Sequence, residues 1–224
     1  MISVLIPAHN ESQTVAATVD AVMSIPQVQQ VVVVDDASSD QTASLAEGAG
    51  AEVIRLPANR GKGGALNAGL PHLRGDIIAL IDADLGESAH ELAILLAPVL
   101  EGRADMTVAR FPRARTKGGF GLVKGLARKG IYYYTGLLVQ APLSGQRVMR
   151  RQVLNVVIPF ASGYGVEVGM TIDVARRGFR VEEVETNMTH HETGRDLRGW
   201  IHRGRQFAHV VITLARRWKS GAPA

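Results

Sequence analysis

The chain has 224 residues, of which 46% are hydrophobic and 5% aromatic, and its formal net charge is +4. This composition is typical of a soluble α/β protein with enough residues for one large domain. There is no cysteine, which excludes disulfides, thiolate metal sites and a cysteine nucleophile. No apolar run approaches the roughly 20 residues of a membrane-spanning helix, and no basic signal-peptide start is present. We therefore expect a cytoplasmic protein.

The first half of the chain alternates short apolar strands with amphipathic helices. Strands are predicted over residues 2–6, 31–34, 53–56, 77–81 and 106–109, with Pro7 ending the first. A helix is predicted after each of the first four strands, and Asn10 or Ser12 is expected to cap the first helix. This alternation predicts βαβ units and a mostly parallel sheet flanked by helices in a single domain.

The second half of the chain has a looser pattern. A glycine-punctuated basic segment over residues 118–125 is predicted to be a loop or lid. A helix is predicted over 166–175, ending at Gly178, and a last strand over 180–184. From Leu197 apolar residues recur at helical spacing among several arginines. That helix is expected to dock on the core, although its basic amphipathic character also permits a peripheral membrane contact.

The positive charge is concentrated in one interval. No acidic residue occurs between Asp105 and Glu167, whereas ten basic residues do: Arg110, Arg113, Arg115, Lys117, Lys124, Arg128, Lys129, Arg147, Arg150 and Arg151. So long a single-signed interval favours an anionic partner. The scarcity of aromatic residues and the absence of a binding module argue against nucleic acid.

Two features at strand ends indicate phosphate chemistry. Asp82 and Asp84 follow a buried strand with one residue between them, and such carboxylates suit a hard divalent cation, Mg²⁺ or Mn²⁺, able to clamp a diphosphate. Aspartate is common where a strand meets a loop, so the pair alone does not decide the function. Lys62 lies between glycines at a predicted helix start, where backbone N–H groups and the helix dipole favour an anion.

Four motifs occur in order, each beside a strand end: PAHNE at 7–11, VDDASSD at 34–40, GKGGALN at 61–67 and DAD at 82–84. Together they resemble the GT-A glycosyltransferases of family 2 and their relatives. Two later stretches, residues 142–146 and 159–169, resemble the glucosyl-3-phosphoglycerate synthases within that group. Residues 144–151 also resemble the polyprenyl-phosphate hexosyltransferases.

This resemblance implies a GT-A fold and a metal-dependent enzyme that moves a hexose, glucose by preference, from a UDP-linked sugar to a phosphorylated acceptor. A soluble acceptor such as a phosphoglycerate is favoured over a polyprenyl phosphate. Within one domain over residues 1–224, residues 1–110 are expected to bind the nucleotide sugar and 111–196 the acceptor. Residues 197–224 are expected to form the amphipathic helix, and a homodimer is left open.

The resemblance also implies a role for individual donor-side residues. Pro7, Ala8, Asn10 and Glu11 are expected to form the nucleoside pocket, with Glu11 near the ribose, although Asn10 and Glu11 are also ordinary helix-start residues. Asp36 is expected near the base, and Lys62 near the diphosphate.

Metal and catalytic roles follow from the same resemblance. Asp84 is expected to bind the metal directly, Asp82 to face the ribose or a metal-bound water, and His191, or its neighbour His190, to be a distant metal ligand. Glu167 is the expected base of an inverting transfer. In a retaining transfer it would bind sugar or acceptor hydroxyls while the carbonyl of Leu143 steadies the oxocarbenium-like centre. The acceptor-binding residues are expected to be Arg113, Arg115 and Lys117.

Two other classes of protein remain to be weighed against this interpretation. A sugar-phosphate nucleotidylyltransferase would need a glycine-rich turn with an arginine after the first strand, which residues 7–11 do not provide. A non-catalytic nucleotide-binding module would be expected to have lost the paired aspartates, which are intact.

Overall fold

The computed structural model describes residues 1–112, 121–160 and 165–189, together with residues 208, 210–215 and 217. Within this part of the chain seven strands form one sheet in the order β3-β2-β1-β4-β6-β5-β7. β6 is antiparallel to β4 and β5, and the other neighbours are parallel. The strands are β1 Ile2–Ala8, β2 Val28–Asp35, β3 Glu52–Arg55, β4 Ile77–Leu80, β5 Met106–Arg110, β6 Arg147–Arg150 and β7 Val181–Glu185. The predicted mostly parallel α/β fold is confirmed.

Helices cover both faces of the sheet because β1 sends alternate side chains to opposite faces. The helices are α1 Val15–Met23, α2 Thr42–Gly48, α3 Gly61–Gly69, α4 Leu92–Leu100, α5 Gly121–Thr135, α6 Arg151–Val157 and α7 Val166–Arg176. Val4 and Ile6 belong to a core cluster shared with α1 and α4, whereas Leu5 belongs to a cluster shared with α3, α6 and α7. A third cluster joins α5 and α7 to Val210, in residues 210–215, which are also helical. Because helices cover both faces of the sheet, the polar loops lie at the ends of the strands.

The prediction that Pro7 ends the first strand is wrong, because β1 continues to Ala8 and Pro7 pairs with Val34. The carbonyl of Leu5 accepts a hydrogen bond from Ile81 on the β4 side, so Pro7, two residues later, faces the same side. β4 ends at Leu80, so the missing N–H of Pro7 costs no ladder bond.

Two further predictions need correction. The residue before α1 is Thr14, with no side-chain cap, so neither Asn10 nor Ser12 caps that helix. Residues 121–125 belong to α5 rather than to a loop, because Val123, Ala127 and Ile131 recur every four residues and are buried. Residues 118–120 lie outside the described residues. Among the described residues, none of the helices has both the length and the hydropathy that a membrane-spanning segment requires.

Candidate active site

The loops after β1 and β2 interlock at the carboxyl edge of the sheet. Asn10 has a φ of +57°, a left-handed conformation that asparagine tolerates better than most residues. Its backbone N–H donates to Ser38 Oγ at 2.9 Å, and its side-chain oxygen accepts from the Ser39 N–H at 2.8 Å. The Glu11 N–H donates to Thr42 Oγ1 at 2.8 Å. The structure therefore brings the first two motifs together.

Asp36 joins these loops to the third motif. Its backbone N–H donates to the carbonyl of Ala8 at 2.8 Å, and its buried carboxylate accepts from the Arg60 N–H at 2.7 Å. Arg60 immediately precedes Gly61, whose φ of +70° favours glycine where α3 begins. One carboxylate oxygen of Asp36 thus positions the segment that carries Lys62.

Lys62 lies between two carboxylates from distant parts of the chain. Its Nζ is 2.6 Å from Asp82 Oδ1 and 3.2 Å from Glu167 Oε1. Burial alone would lower the pKa of Lys62, but the charges and hydrogen bonds of Asp82 and Glu167 outweigh it and raise that pKa above its usual range. Lys62 therefore remains a cation that holds the end of β4 against the first turn of α7. The sequence analysis predicted that Lys62 lies near the diphosphate, but it did not predict the ion pairs of Lys62 with Asp82 and Glu167.

Residues just before β6 complete the surroundings of Asp82. The fully buried Gln146 donates from Nε2 to Asp82 Oδ2 at 2.7 Å. A Cβ added to Gly145 would lie 2.3 Å from Lys62 Nζ and 2.8 Å from Asp82 Oδ2. Glycine is therefore the residue that fits here without displacing the ion pair. Sequence reasoning did not select Gly145 or Gln146 as site residues, although both lie in the 142–146 motif that could have pointed to them.

The buried side chain of Arg147 connects the turn that contains Ser144 to α7. It is 1% exposed, donates from Nε to the carbonyl of Ser144 at 3.1 Å, and donates from Nη1 to Thr171 Oγ1 at 2.9 Å. Thr171 Oγ1 in turn donates to the carbonyl of Glu167 at 3.0 Å. Burial lowers the pKa of Arg147 to about 10, against the attraction of Glu167 and Glu183. Arg147 thus helps to fix the position of Glu167 relative to the turn that contains Leu143.

Negative charge accumulates where the paired aspartates meet Glu11. Burial raises the pKa of Glu11, and the charges of Asp84 and Asp82 raise it further. A carboxylate-rich edge with this mutual repulsion fits a hard divalent cation that takes oxygen ligands. In the described part of the chain no three Asp, Glu or His residues are grouped so that they could hold a metal. His190 and His191, the predicted distant ligands, lie outside the described residues.

The basic interval does not form one continuous surface. Arg110 pairs with Glu185, and Arg150 donates to the Val99 carbonyl at 2.9 Å. Arg151 donates to the carbonyls of Gly75 and Leu73 at 2.7 and 2.9 Å. Arg147 is buried, so the expectation that this interval faces an anionic partner is wrong for Arg147, whereas Arg110, Arg150 and Arg151 have partners within the protein. Arg113, Arg115 and Lys117 lie outside the described residues.

The profile of the family described as glycosyl transferase family 2 matches residues 3–158. The chain belongs to this family. A curated relative, the glucosyl-3-phosphoglycerate synthase of Mycobacterium tuberculosis, is 33% identical over 201 residues, which cover 79% of this chain and 61% of the relative. This chain therefore spans less than two thirds of that relative's length. An undecaprenyl-phosphate 4-deoxy-4-formamido-L-arabinose transferase of Shewanella sediminis is 33% identical over 131 residues, covering 50% of this chain and 40% of the relative.

Solved structures confirm the expected GT-A fold. A crystal structure of the M. tuberculosis synthase with Mn²⁺, UDP-glucose and phosphoglyceric acid has a TM-score of 0.81 and 30% identity, covering 97% of this chain and 79% of that one. Another structure of the same enzyme, with Mg²⁺ and UDP, has a TM-score of 0.79 and 29% identity over the same shares of the two chains. The structural similarity thus extends beyond residue 158, where the family match ends.

Proposed function

We propose that this family 2 protein is a metal-dependent hexosyltransferase that uses a nucleotide diphosphate sugar, UDP-glucose by preference, and a phosphorylated acceptor. The observation that carries the proposal is the meeting of Lys62, Asp82 and Glu167 beside Asp84 at the carboxyl edge of the sheet. Open α/β sheets bind their ligands at this edge. The similarity to a synthase crystallised with Mn²⁺, UDP-glucose and phosphoglyceric acid supports the same substrates.

The first half of the chain supplies the donor side of the proposed site. Pro7, Ala8, Asn10, Glu11 and Asp36 surround the nucleoside. Lys62 then retains its predicted role near the diphosphate, because its two carboxylate partners use two of the three N–H donors of an ammonium group. The third can be donated to a phosphate oxygen. Asp82, held by Lys62 and Gln146, would face the donor ribose or a metal-bound water.

Asp84 is the proposed metal ligand from the described residues, and His191 the proposed ligand from the segment outside them. Mg²⁺ or Mn²⁺ bound there would offset the negative charge on the departing diphosphate. The charge of Asp84 raises the pKa of Glu11, so the two carboxyl groups lie close enough to repel each other, and a cation between them would relieve that repulsion.

The second half supplies the acceptor side, so residues 1–110 and 111–196 would meet at the site. Glu167 is 8% exposed and contacts Lys62 through Oε1. In an inverting transfer its carboxylate takes the proton of the acceptor hydroxyl. In a retaining transfer it accepts a hydrogen bond from a sugar hydroxyl, and the Leu143 carbonyl steadies the reacting centre. Determination of the product anomer by NMR distinguishes the two.

The favoured acceptor is a soluble phosphorylated molecule such as a phosphoglycerate, bound by Arg113, Arg115 and Lys117. The similarity to the M. tuberculosis synthase supports this choice. A polyprenyl phosphate is the second candidate, supported by the match to the Shewanella transferase over half of the chain.

Binding and transfer are tested separately. Thermal unfolding is measured with UDP-glucose, GDP-mannose or neither, with and without Mn²⁺, and a UDP-glucose concentration 100 times Kd should stabilise the fold by about 2.7 kcal/mol. Transfer of radiolabelled glucose is then followed with phosphoglycerate or polyprenyl phosphate, and the product is partitioned between water and butanol. Label in a water-phase product that forms only with phosphoglycerate and is separated from UDP-glucose by anion exchange supports the favoured acceptor, and label in butanol the second. Absence of metal-dependent nucleotide-sugar binding would refute the donor proposal.

A further inference from the structure

Large apolar side chains are exposed mainly in one part of the structure. Of the eleven exposed large hydrophobic residues among those described, six lie on α5, just after it, or in the helical stretch 210–215. They are Leu122, Tyr132, Tyr133, Leu138, Val211 and Ile212. Leu122 is 83% exposed and Leu138 is 79% exposed. An apolar surface of this kind is characteristic of an interaction site.

The two elements that carry these residues pack against each other. Gly130 of α5 faces Leu214, and Tyr134 Oη donates to the Leu214 carbonyl at 2.9 Å. Val123, Ala127 and Ile131 form the buried face of α5 within the core cluster that includes Val210. The opposite face of α5 therefore points away from the core.

Basic residues occupy that outward face of α5. Lys124, Arg128 and Tyr132 follow one another at four-residue spacing, and all three are exposed. Lys129 is exposed beside them. Lys124, Arg128 and Lys129 form no ion pair in the described ranges, unlike Arg110 and Arg150 of the same acid-free interval. We name the surface made by these three basic residues with Leu122 and Tyr132 the α5 face.

We propose that the α5 face docks on an anionic lipid bilayer surface. A bilayer interface accepts both components of the face: leucine enters the acyl boundary and tyrosine rests at headgroup depth, while lysine and arginine contact anionic headgroups. Nucleic acid would pair with the basic side chains but would leave the exposed leucine in water. A second copy would bring two surfaces of the same sign together, since each carries three basic residues without an ion pair among the described residues. This inference goes beyond the proposed transferase activity and does not depend on it.

The full chain is sedimented with phosphatidylcholine vesicles that do or do not contain phosphatidylglycerol. Binding is expected with the anionic vesicles and should weaken with added salt. The triple variant Lys124→Gln/Arg128→Gln/Lys129→Gln should bind roughly 100-fold more weakly, since each basic residue near an anionic membrane contributes about a fivefold factor. Leu122→Ser, at a largely exposed position, should also weaken binding while leaving the thermal unfolding temperature unchanged.

The matched control removes the same charge from exposed residues elsewhere, Arg55→Gln/Arg74→Gln/Arg103→Gln. It should bind like the wild type. Equal loss in both triple variants would show attraction by net charge alone and would overturn the proposal. Absence of wild-type binding to anionic vesicles would also overturn it. So would light scattering that shows a stable dimer that Leu122→Ser dissociates, because a second copy would then cover the face.

Discussion

Replacing Gly145 with alanine tests the arrangement of the site most directly. The added Cβ would lie 2.3 Å from Lys62 Nζ and 2.8 and 3.2 Å from the two carboxylate oxygens of Asp82. Cβ atoms essentially never approach a nonbonded atom within 3.0 Å, so Lys62 Nζ and the Asp82 carboxylate must shift and the 2.6 Å contact between them is disturbed. The displaced atom at the closest approach is the end of a flexible lysine side chain. We therefore expect the Gly145→Ala protein to fold.

The expected loss of binding free energy can be estimated from the contact between Lys62 and Asp82. A hydrogen bond to a charged group contributes about 1.5–3 kcal/mol. Since Lys62 and Asp82 are the proposed donor-side groups, the same free energy should appear in donor binding and in transfer. At about 1.4 kcal/mol per factor of ten, kcat/KM for the nucleotide sugar should fall about 10- to 140-fold.

Calorimetric titration with UDP-glucose and Mn²⁺, together with initial rates, measures this loss. Gly48→Ala is the matched control, because a Cβ there meets no atom within 4 Å. Both variants are first compared with the wild type by thermal unfolding. If Gly145→Ala keeps wild-type affinity and rate, then the ion pair between Lys62 and Asp82 has no part in donor binding, and our reasoning about the site is wrong.

Three further predictions concern the metal, the link beneath the site and the acid limb of stability. Asp84→Ala should abolish turnover and metal-dependent UDP binding in a folded protein, whereas full wild-type activity in EDTA would refute the metal role. Thr171→Val should lower the free energy of unfolding in urea by about 1–3 kcal/mol, because a buried donor of Arg147 loses its acceptor, and Thr171→Ser should restore it. Burial alone would raise the pKa of Asp40, but hydrogen bonds from neighbouring residues lower it to about 2. The ionised form therefore stabilises the fold above about pH 4, and this contribution is lost as the pH falls toward 2, so Asp40→Asn should flatten that part of the urea-unfolding profile relative to the wild type.

The amino-acid sequence alone determined the class of fold and the edge at which the motifs lie. Apolar runs such as Val31–Val34 and Ile77–Leu80 are buried on both faces of the sheet, so their periodicity identified them as strands. Because the carboxyl ends of parallel strands lie at one edge, Asn10 and Asp36 were expected near the paired aspartates, and the loops do interlock there. Local pattern was sufficient for the strands because each depends on residues close together in the chain, and the meeting of the loops followed from the parallel arrangement of those strands.

Only the tertiary structure decided which distant groups meet. The insertion of antiparallel β6 between β4 and β5 brings Gly145 and Gln146 against Asp82, and nothing in the periodicity of Arg147–Arg150 specifies that strand order. Lys62 of α3 likewise contacts Glu167 of α7, about a hundred residues later in the sequence, and no local pattern specifies that contact. The arginines of the acid-free interval likewise take their partners from elsewhere, as Arg110 does from Glu185. Charge along the chain predicted an anionic partner for this interval, but it did not show that some of these arginines already have partners within the protein, because ion pairs depend on proximity in space rather than on order in the sequence.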